Sequence, residues 1–245
     1  FVLYKKYERF AKNFNIKEVG IDDVLSQVDE KIHSFTSLAD TSLPIDILLI
    51  KSIVKSFDSP NYLEIGCFRG ESLVNIIDHT NNTVSISLSK NELREITKNE
   101  YCIEVDSILV DRYNKKLTKI EANSQNFDFL SLEKKFDVIF IDGDHSEYGV
   151  FIDTINAFKV LRDENSIIIW HDFGYSPSDL RYDVIAGAIK GTPFNERNNI
   201  YRVRNTLCGI YTKKKIAPTI SENYLFPNIL MDVEMKIRKY KNSNY

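Results

Sequence analysis

The chain has 245 residues, 43 % hydrophobic and 27 % charged, which is the composition of a globular protein and not of a disordered or collagen-like one. Its 32 Lys and Arg against 35 Asp and Glu give a formal charge of −3, without the basic excess that marks a nucleic-acid binder. No apolar run approaches the roughly 20 residues that cross a bilayer. Three cysteines, Cys67, Cys102 and Cys208, form neither an even disulfide framework nor a zinc spacing, so a reducing, cytoplasmic setting is expected. The sequence opens at Phe1 and not at Met, which leaves an upstream leader open.

Phe1, Tyr4, Tyr7, Phe10 and Phe14 recur every three or four residues, the spacing of one helix face. Residues 1–45 are therefore expected to form an N-terminal helical extension. Residues 46–212 alternate strand-like and helix-like segments and are expected to form the core domain. Residues 213–245 open on Lys213, Lys214 and Lys215, read as a solvated strand end, and close on an amphipathic pattern over 229–240. They are expected to form a C-terminal extension. No repeat and no low-complexity linker divides the core.

Within the core, Asn61–Ile65 reads as a short apolar strand entering the glycine turn Gly66-Cys67-Phe68-Arg69-Gly70, and residues 71–77 continue with helical spacing. Val84, Ile86 and Leu88 alternate with serines as in a strand, and a helix is expected over 91–99. Residues 136–141 make a nearly unbroken apolar run, as in a strand covered on both faces. Ser146 is placed to cap the next helix. Tyr148, Phe151 or Ile152, Ile155, Phe158 and Leu161 are expected to face the core from it. Residues 166–170 form a second buried strand, and 201–203 and 207–212 flank Arg204-Asn205-Thr206 as a hairpin. Strands alternating with helices before a terminal hairpin indicate an α/β fold, with a mostly parallel, doubly wound sheet and helices on both faces.

Such sheets bind ligands at the carboxyl ends of their strands, where the strand order reverses. Glu64-x-Gly66-x-x-x-Gly70 lies at that end of the first core strand. Gly66 permits a sharp turn, and Gly70 lets the chain approach a ligand closely as the helix begins. Position 68 is Phe, so the pattern is not the G-x-G-x-x-G of dinucleotide binders. From Asp46 to Thr212 the chain resembles class I S-adenosylmethionine-dependent methyltransferases, whose first motif is (D/E)-x-G-x-x-x-G. That resemblance implies a Rossmann-like, seven-stranded sheet with its antiparallel hairpin at the end. It also implies that Glu64, Gly66 and Gly70 hold the methionine part of the cofactor. The positions that usually carry acids for the ribose and near the adenine hold Ser87 and Asn123 here. Both side chains can still hydrogen-bond, without the charge assistance of a carboxylate.

The most specific stretch is Ile141-Asp142-Gly143-Asp144-His145, paired with Trp170-His171-Asp172-Phe173. Each follows a buried strand, so Asp142 and Asp172 are expected at neighbouring strand ends. Two like charges about 4 Å apart repel by roughly 4 kcal/mol at an effective dielectric of 20. A divalent cation relieves that crowding among Asp142, Asp144 and Asp172, as does a raised carboxyl pKa. Helix capping alone is the plainer role of such aspartates.

The pair is similar to metal-dependent O-methyltransferases with an I-D-G-D-H-x-Y-E-G-V motif, which include macrocin-type sugar O-methyltransferases. Here Glu147 and Tyr148 stand in exchanged order. The resemblance implies that Asp142 and Asp172 bind the metal, Asp142 also bordering the cofactor. His171 takes the remaining ligand position, where an oxygen donor is more usual. A nitrogen donor shifts preference from Mg²⁺ towards Mn²⁺, Fe²⁺ or Zn²⁺. Alternatively, His171 turns away and supports a ligand from behind. His145 stands at the general-base position, and with an unperturbed pKa of about 6.5 it can accept a proton near neutrality.

Trp170 reads as core before pocket lining, and residues 173–182 as a loop on the acceptor side. Arg69 and Arg181 read as solvated arginines, with contact to an anionic acceptor as the alternative. The expected activity is metal-assisted O-methylation of a sugar or small polyhydroxylated acceptor, with S-adenosylmethionine and Mg²⁺ or Mn²⁺. No nucleic acid or membrane span is expected, and a homo-oligomer is allowed. Competing readings are a non-haem iron hydroxylase on the same fold and a catalytically degenerate binding protein.

Overall fold

The computed structural model describes residues 2–25, 28–38, 41–110, 116–217, 232 and 234–236, so most of the pattern over 229–240 lies outside the described residues. In chain order the core strands are β1 (Lys17–Val19), β2 (Asn61–Ile65), β3 (Asn82–Ser87), β4 (Leu117–Glu121), β5 (Val138–Ile141) and β6 (Ile167–Trp170). A short pair, β7 (Gly174–Ser176) and β8 (Asp179–Leu180), precedes β9 (Ile200–Val203) and β10 (Gly209–Tyr211). Among the described residues eight strands form one sheet in the order β1-β9-β10-β6-β5-β2-β3-β4. Neighbours run parallel except β10, which is antiparallel to both β6 and β9. The expected terminal hairpin is thus present, turning at Asn205 with φ +64°.

Eight strands replace the expected seven because Lys17–Val19 pairs in parallel with β9 at the sheet edge. Only Val19 of these three residues is buried, and so short an edge strand leaves no alternating pattern to read. The preceding helix α1 (Val2–Phe14) packs on α8 (Tyr182–Gly191), with Phe10 and Phe14 against the core.

Side chains alternate across the strands and divide the core into two layers. Leu63, Ile65, Val84, Ile86, Ile139, Ile141, Ile168 and Trp170 face Val150, Ala157 and Val160 of α7 (Glu147–Val160), together with Val184, Ile185 and Ala188 of α8. Tyr62, Val138, Phe140 and Ile169 face the other way, onto α3 (Pro44–Lys55) and α4 (Glu71–Ile76). Both faces are covered, which accounts for the unbroken apolar runs of β5 and β6. The helices α2 (Ile21–Val24), α5 (Lys90–Thr97) and α6 (Glu100–Val105) complete the fold.

Ser146 caps α7 as expected, its Oγ accepting the Gly149 N–H at 3.0 Å. The buried face of α7 differs from the sequence reading. Val150, Asp153, Thr154, Asn156, Ala157 and Val160 turn inward, whereas Tyr148 is exposed. Phe158 and Leu161 do pack against the core as expected, but polar residues occupy half of the inward stripe, so hydrophobic periodicity placed the buried face off its true centre. Trp170 is core, its indole N–H donating to Thr154 Oγ1 at 2.9 Å on α7.

Strand order reverses between β2 and β5, and the loops after β2, β5 and β6 meet at their carboxyl ends. None of the described helices is long and apolar enough to cross a membrane.

Candidate active site

The glycine loop after β2 is joined to the Asp142 loop by its backbone. Asp142 N–H donates to Ile65 O and Gly66 N–H to Ile86 O, each at 2.8 Å. Gly66 has φ +93° and Gly70 φ +84°, in the left-handed region that glycine enters without steric cost. A Cβ at Gly66 would lie 2.1 Å from the carbonyl oxygen of Asp142, a backbone atom that no rotamer change can move. At Gly70 it would meet the side chain of Val110 at 2.9 Å. Gly66→Ala is therefore expected to destabilise the protein by at least about 2 kcal/mol, more than Gly70→Ala. Urea unfolding of both variants checks the order; equal losses would contradict it.

Glu64 lies beneath this loop, 2 % exposed, with Oε1 accepting from Ser72 Oγ and Oε2 from Tyr62 Oη, each at 2.7 Å. Burial pushes its carboxyl up to about 8, against the opposing pull of those two hydroxyls. Both oxygens are thus engaged by the protein itself. An unfolded Glu titrates near 4.3. Because the folded value is the higher one, the stability held by neutral Glu64 is complete below about 4.3 and is lost as pH rises through about 8. Glu64→Gln should remove that loss, becoming more stable relative to wild type between pH 6 and 8.5. Urea unfolding at the two pH values tests this, and parallel curves for both proteins would contradict it.

Ser87 ends β3 with its Oγ buried and unpartnered among the described residues. Asn123 follows β4, its Oδ1 accepting the Gln125 N–H at 3.0 Å. Ser87 thus ends the strand beside β2, and Asn123 follows the next strand out, β4.

Four side chains converge where β5 and β6 end. His145 Nδ1 is 3.0 Å from Asp172 Oδ2, and its Nε2 is 3.5 Å from Asp142 Oδ1. His171 Nδ1 is 3.3 Å from Oδ1 of both Asp142 and Asp172. Asp142, His145 and Asp172 each offer a donor atom, and these atoms lie within 4.8 Å of one another, a grouping able to hold a metal ion. Asp172 has φ +58°, a left-handed conformation that Asp tolerates better than most residues. Burial opposes charge at Asp142, His145 and His171, yet the ion pairs prevail. His171 and then His145 hold Asp142 below the usual carboxylate range. Asp142 in turn raises His145, and raises His171 well above its ordinary value.

The sequence placed Asp144 in this crowd, but the structure turns it aside. Its carboxylate accepts from Ser146 N–H and Oγ at 2.9 Å and from Gln125 Nε2 at 3.0 Å, so it fastens the turn. Neither arginine is solvated as expected. Arg69 is 3 % exposed and stacks over Phe68 at 4.3 Å. Arg181 reaches the cluster, with Nη1 3.5 Å from Asp172 Oδ2 and Nη2 donating to His145 O at 3.2 Å. Asp46, unremarked in the sequence, faces His171 Nε2 at 3.3 Å from α3. A separation of 125 residues left no local signal for that contact.

Residues 63–173 match a family model described as a methyltransferase domain, a span that holds both loops of the site. No curated protein matches the sequence. Among solved structures, cofactor-bound Rv0187 from MTB aligns with a TM-score of 0.53 at 12 % identity, over 71 % of this chain and 82 % of that one. The O-methyltransferase TomG from Streptomyces achromogenes, in complex with SAM, aligns at 0.50 with 12 % identity, over 70 % and 82 %. At such identities the likeness establishes the fold, a Rossmann-like α/β sheet shared with these proteins.

Proposed function

We infer that this chain, which carries a methyltransferase domain over residues 63–173, is an S-adenosylmethionine-dependent, divalent-metal-assisted O-methyltransferase. The acceptor is a hydroxyl of a sugar or a small polyhydroxylated molecule. One observation carries the reading: Asp142, His145, His171 and Asp172 converge beside the glycine loop at the strand ends.

The residues fit both groups. Two carboxylates aimed at one point call for positive charge between them, and oxygen with imidazole nitrogen suits a divalent cation such as Mn²⁺ or Mg²⁺. The unpartnered Ser87 Oγ, with Asn123 nearby in the fold order, offers hydrogen bonds to a ligand lying along the glycine loop. Bound there, the cation would lower the acceptor hydroxyl's pKa, and the sulfonium would supply its methyl group.

The protein's own contribution is placement and proton transfer. Asp172 divides its oxygens, Oδ1 facing His171 and Oδ2 facing His145. With Nδ1–H of His145 given to Asp172, Nε2 is the atom that accepts the acceptor's proton. His145 is 42 % exposed at its side chain, so an acceptor can reach it. Arg181 fixes the base by binding both its carbonyl and its carboxylate partner. Gly66, packed on the Asp142 carbonyl, sets the distance between the glycine loop and the cluster, which is the proximity contribution. The sugar class is supported by the likeness of the Asp-Gly-Asp-His stretch to macrocin-type enzymes.

Incubation with methyl-tritiated S-adenosylmethionine, a panel of saccharides and catechols, and Mn²⁺ or a chelator tests the reading. Label should enter a saccharide and vanish with chelator. Labelling of catechols alone would overturn the acceptor class, and chelator-resistant transfer would overturn the metal. Two carboxylates with a histidine also suit ferrous iron. Oxygen consumption by the iron-loaded protein, without methyl transfer, would favour a hydroxylase.

A further inference from the structure

His171 meets carboxylates on both sides of its ring. Nδ1 faces Oδ1 of Asp142 and Asp172, and Nε2 faces Oδ2 of Asp46, all at 3.3 Å. The ring is 7 % exposed and packs edge-on to Phe140, with centroids 6.0 Å apart. Asp46 is completely buried in the first turn of α3. Its Oδ1 accepts the Leu207 N–H at 2.8 Å, and its Oδ2 accepts the Leu43 N–H at 2.7 Å. One of these amides belongs to the start of α3 and the other to the turn before β10. The carboxylate is therefore fixed by backbone from two separate elements.

Capping α3 occupies only one oxygen of Asp46. The second amide and the imidazole are additional, and they determine what the ring presents to the cluster. A carboxylate can only accept, so the nitrogen facing Asp46 must be the donor. Neutral imidazole has a single N–H. With Asp142 and Asp172 also facing Nδ1, the cation-free ring carries a second N–H there; a bound cation would take the place of that proton, leaving the single N–H at Nε2 with Asp46. His145 differs, since its Nδ1 is held by Asp172 and its side chain is 42 % exposed.

We propose that Asp46 is a positioning residue that holds His171 as the Nε2–H tautomer, making Nδ1 a nitrogen ligand and biasing the cation site from Mg²⁺ towards Mn²⁺ and other borderline divalent cations. This inference rests on the metal-assisted reading above. Nitrogen donors favour the later first-row ions, whereas Mg²⁺ prefers an all-oxygen shell. Carboxylates behind a metal-bound histidine fix its tautomer, and their loss costs roughly 10–100-fold in metal affinity.

The test uses the intact chain, stripped with chelator and labelled with ¹⁵N-histidine. The chain has 4 histidines, so the His171 signals can be assigned by their loss in His171→Asn. Added Zn²⁺, a diamagnetic probe, should move Nδ1 of His171 to a metal-bound shift while Nε2 keeps its proton. A metal shift at Nε2, or none at His171, overturns the proposal. Calorimetry then gives Mn²⁺ and Mg²⁺ affinities for wild type, Asp46→Asn and His171→Asn. Asp46→Asn should lose at least roughly tenfold in Mn²⁺ affinity and far less for Mg²⁺. His171→Asn keeps an N–H for Asp46 and presents an oxygen, so it should lower the Mn²⁺/Mg²⁺ ratio even if Asp46→Asn fails to fold. Equal weakening for both cations, as loss of a helix cap alone would give, overturns it. Wild type that binds neither ion removes the metal-assisted reading as well. Tight Mn²⁺ binding with a silent His171 overturns this inference alone.

Discussion

Asp142→Asn is expected to abolish stabilisation by Mn²⁺ and to slow methyl transfer by roughly 10²–10³-fold, about 2.7–4 kcal/mol of transition-state free energy. The magnitude is that of removing one fixed electrostatic partner from a catalytic site. A single oxygen of Asp142, Oδ1, faces both imidazoles, with His171 Nδ1 at 3.3 Å and His145 Nε2 at 3.5 Å. Its amide replacement has nearly the same shape, and its backbone bond to Ile65 is untouched. The metal-free variant should unfold below wild type, because His171 and His145 lose the carboxylate that pairs with them, so the response to Mn²⁺ is read against each protein's own metal-free melt. Free Mn²⁺ at 100 times its Kd stabilises a one-site protein by about 2.7 kcal/mol. For a chain of this size that raises the Tm by roughly 5–10 °C. Thermal melts with and without Mn²⁺ should show the rise in wild type and none in Asp142→Asn. An undiminished rise in the variant would remove Asp142 from the metal site.

His145→Ala is expected to lower kcat by roughly 10²–10⁴-fold, the usual contribution of a positioned general base. The same variant should bind S-adenosylmethionine as wild type does and should change Mn²⁺ affinity little. That contrast matters because His145 also belongs to the group of side chains able to hold a cation. Its Nδ1 is engaged by Asp172 Oδ2, and Arg181 anchors its carbonyl, which leaves Nε2 for the acceptor's proton. Single-turnover rates beside Mn²⁺ calorimetry separate the two roles. A fall in Mn²⁺ affinity as steep as that of Asp142→Asn would make His145 a ligand and would leave the proton without its base.

Much of this arrangement was legible because its signals are local. The apolar runs of β5 and β6 each end in an acidic turn, and Ser146 stands where the next helix needs a cap. Strand-end topology then brings Asp142 and Asp172 together without any further information. What the sequence concealed depends on packing between distant segments. The edge strand β1 has three residues and one buried side chain, too few to show a period. The inward face of α7 carries Asp153, Thr154 and Asn156, so its polarity masked its direction. Asp46 stood out in the sequence only as the start of the core span, and only the fold sets it against His171. Arg181 and Arg69 carried no cue to burial, since arginine is usually exposed.

Methyl transfer requires that the glycine loop hold its methyl donor. S-Adenosylmethionine titrated by calorimetry into metal-free chain, and again with Mn²⁺ present, should bind with a roughly micromolar Kd, about −8 kcal/mol. Such binding would mean that Ser87 and Asn123 replace the usual acids adequately, with His145→Ala retaining it. Absence of binding under both conditions would contradict methyl transfer as the function of this chain.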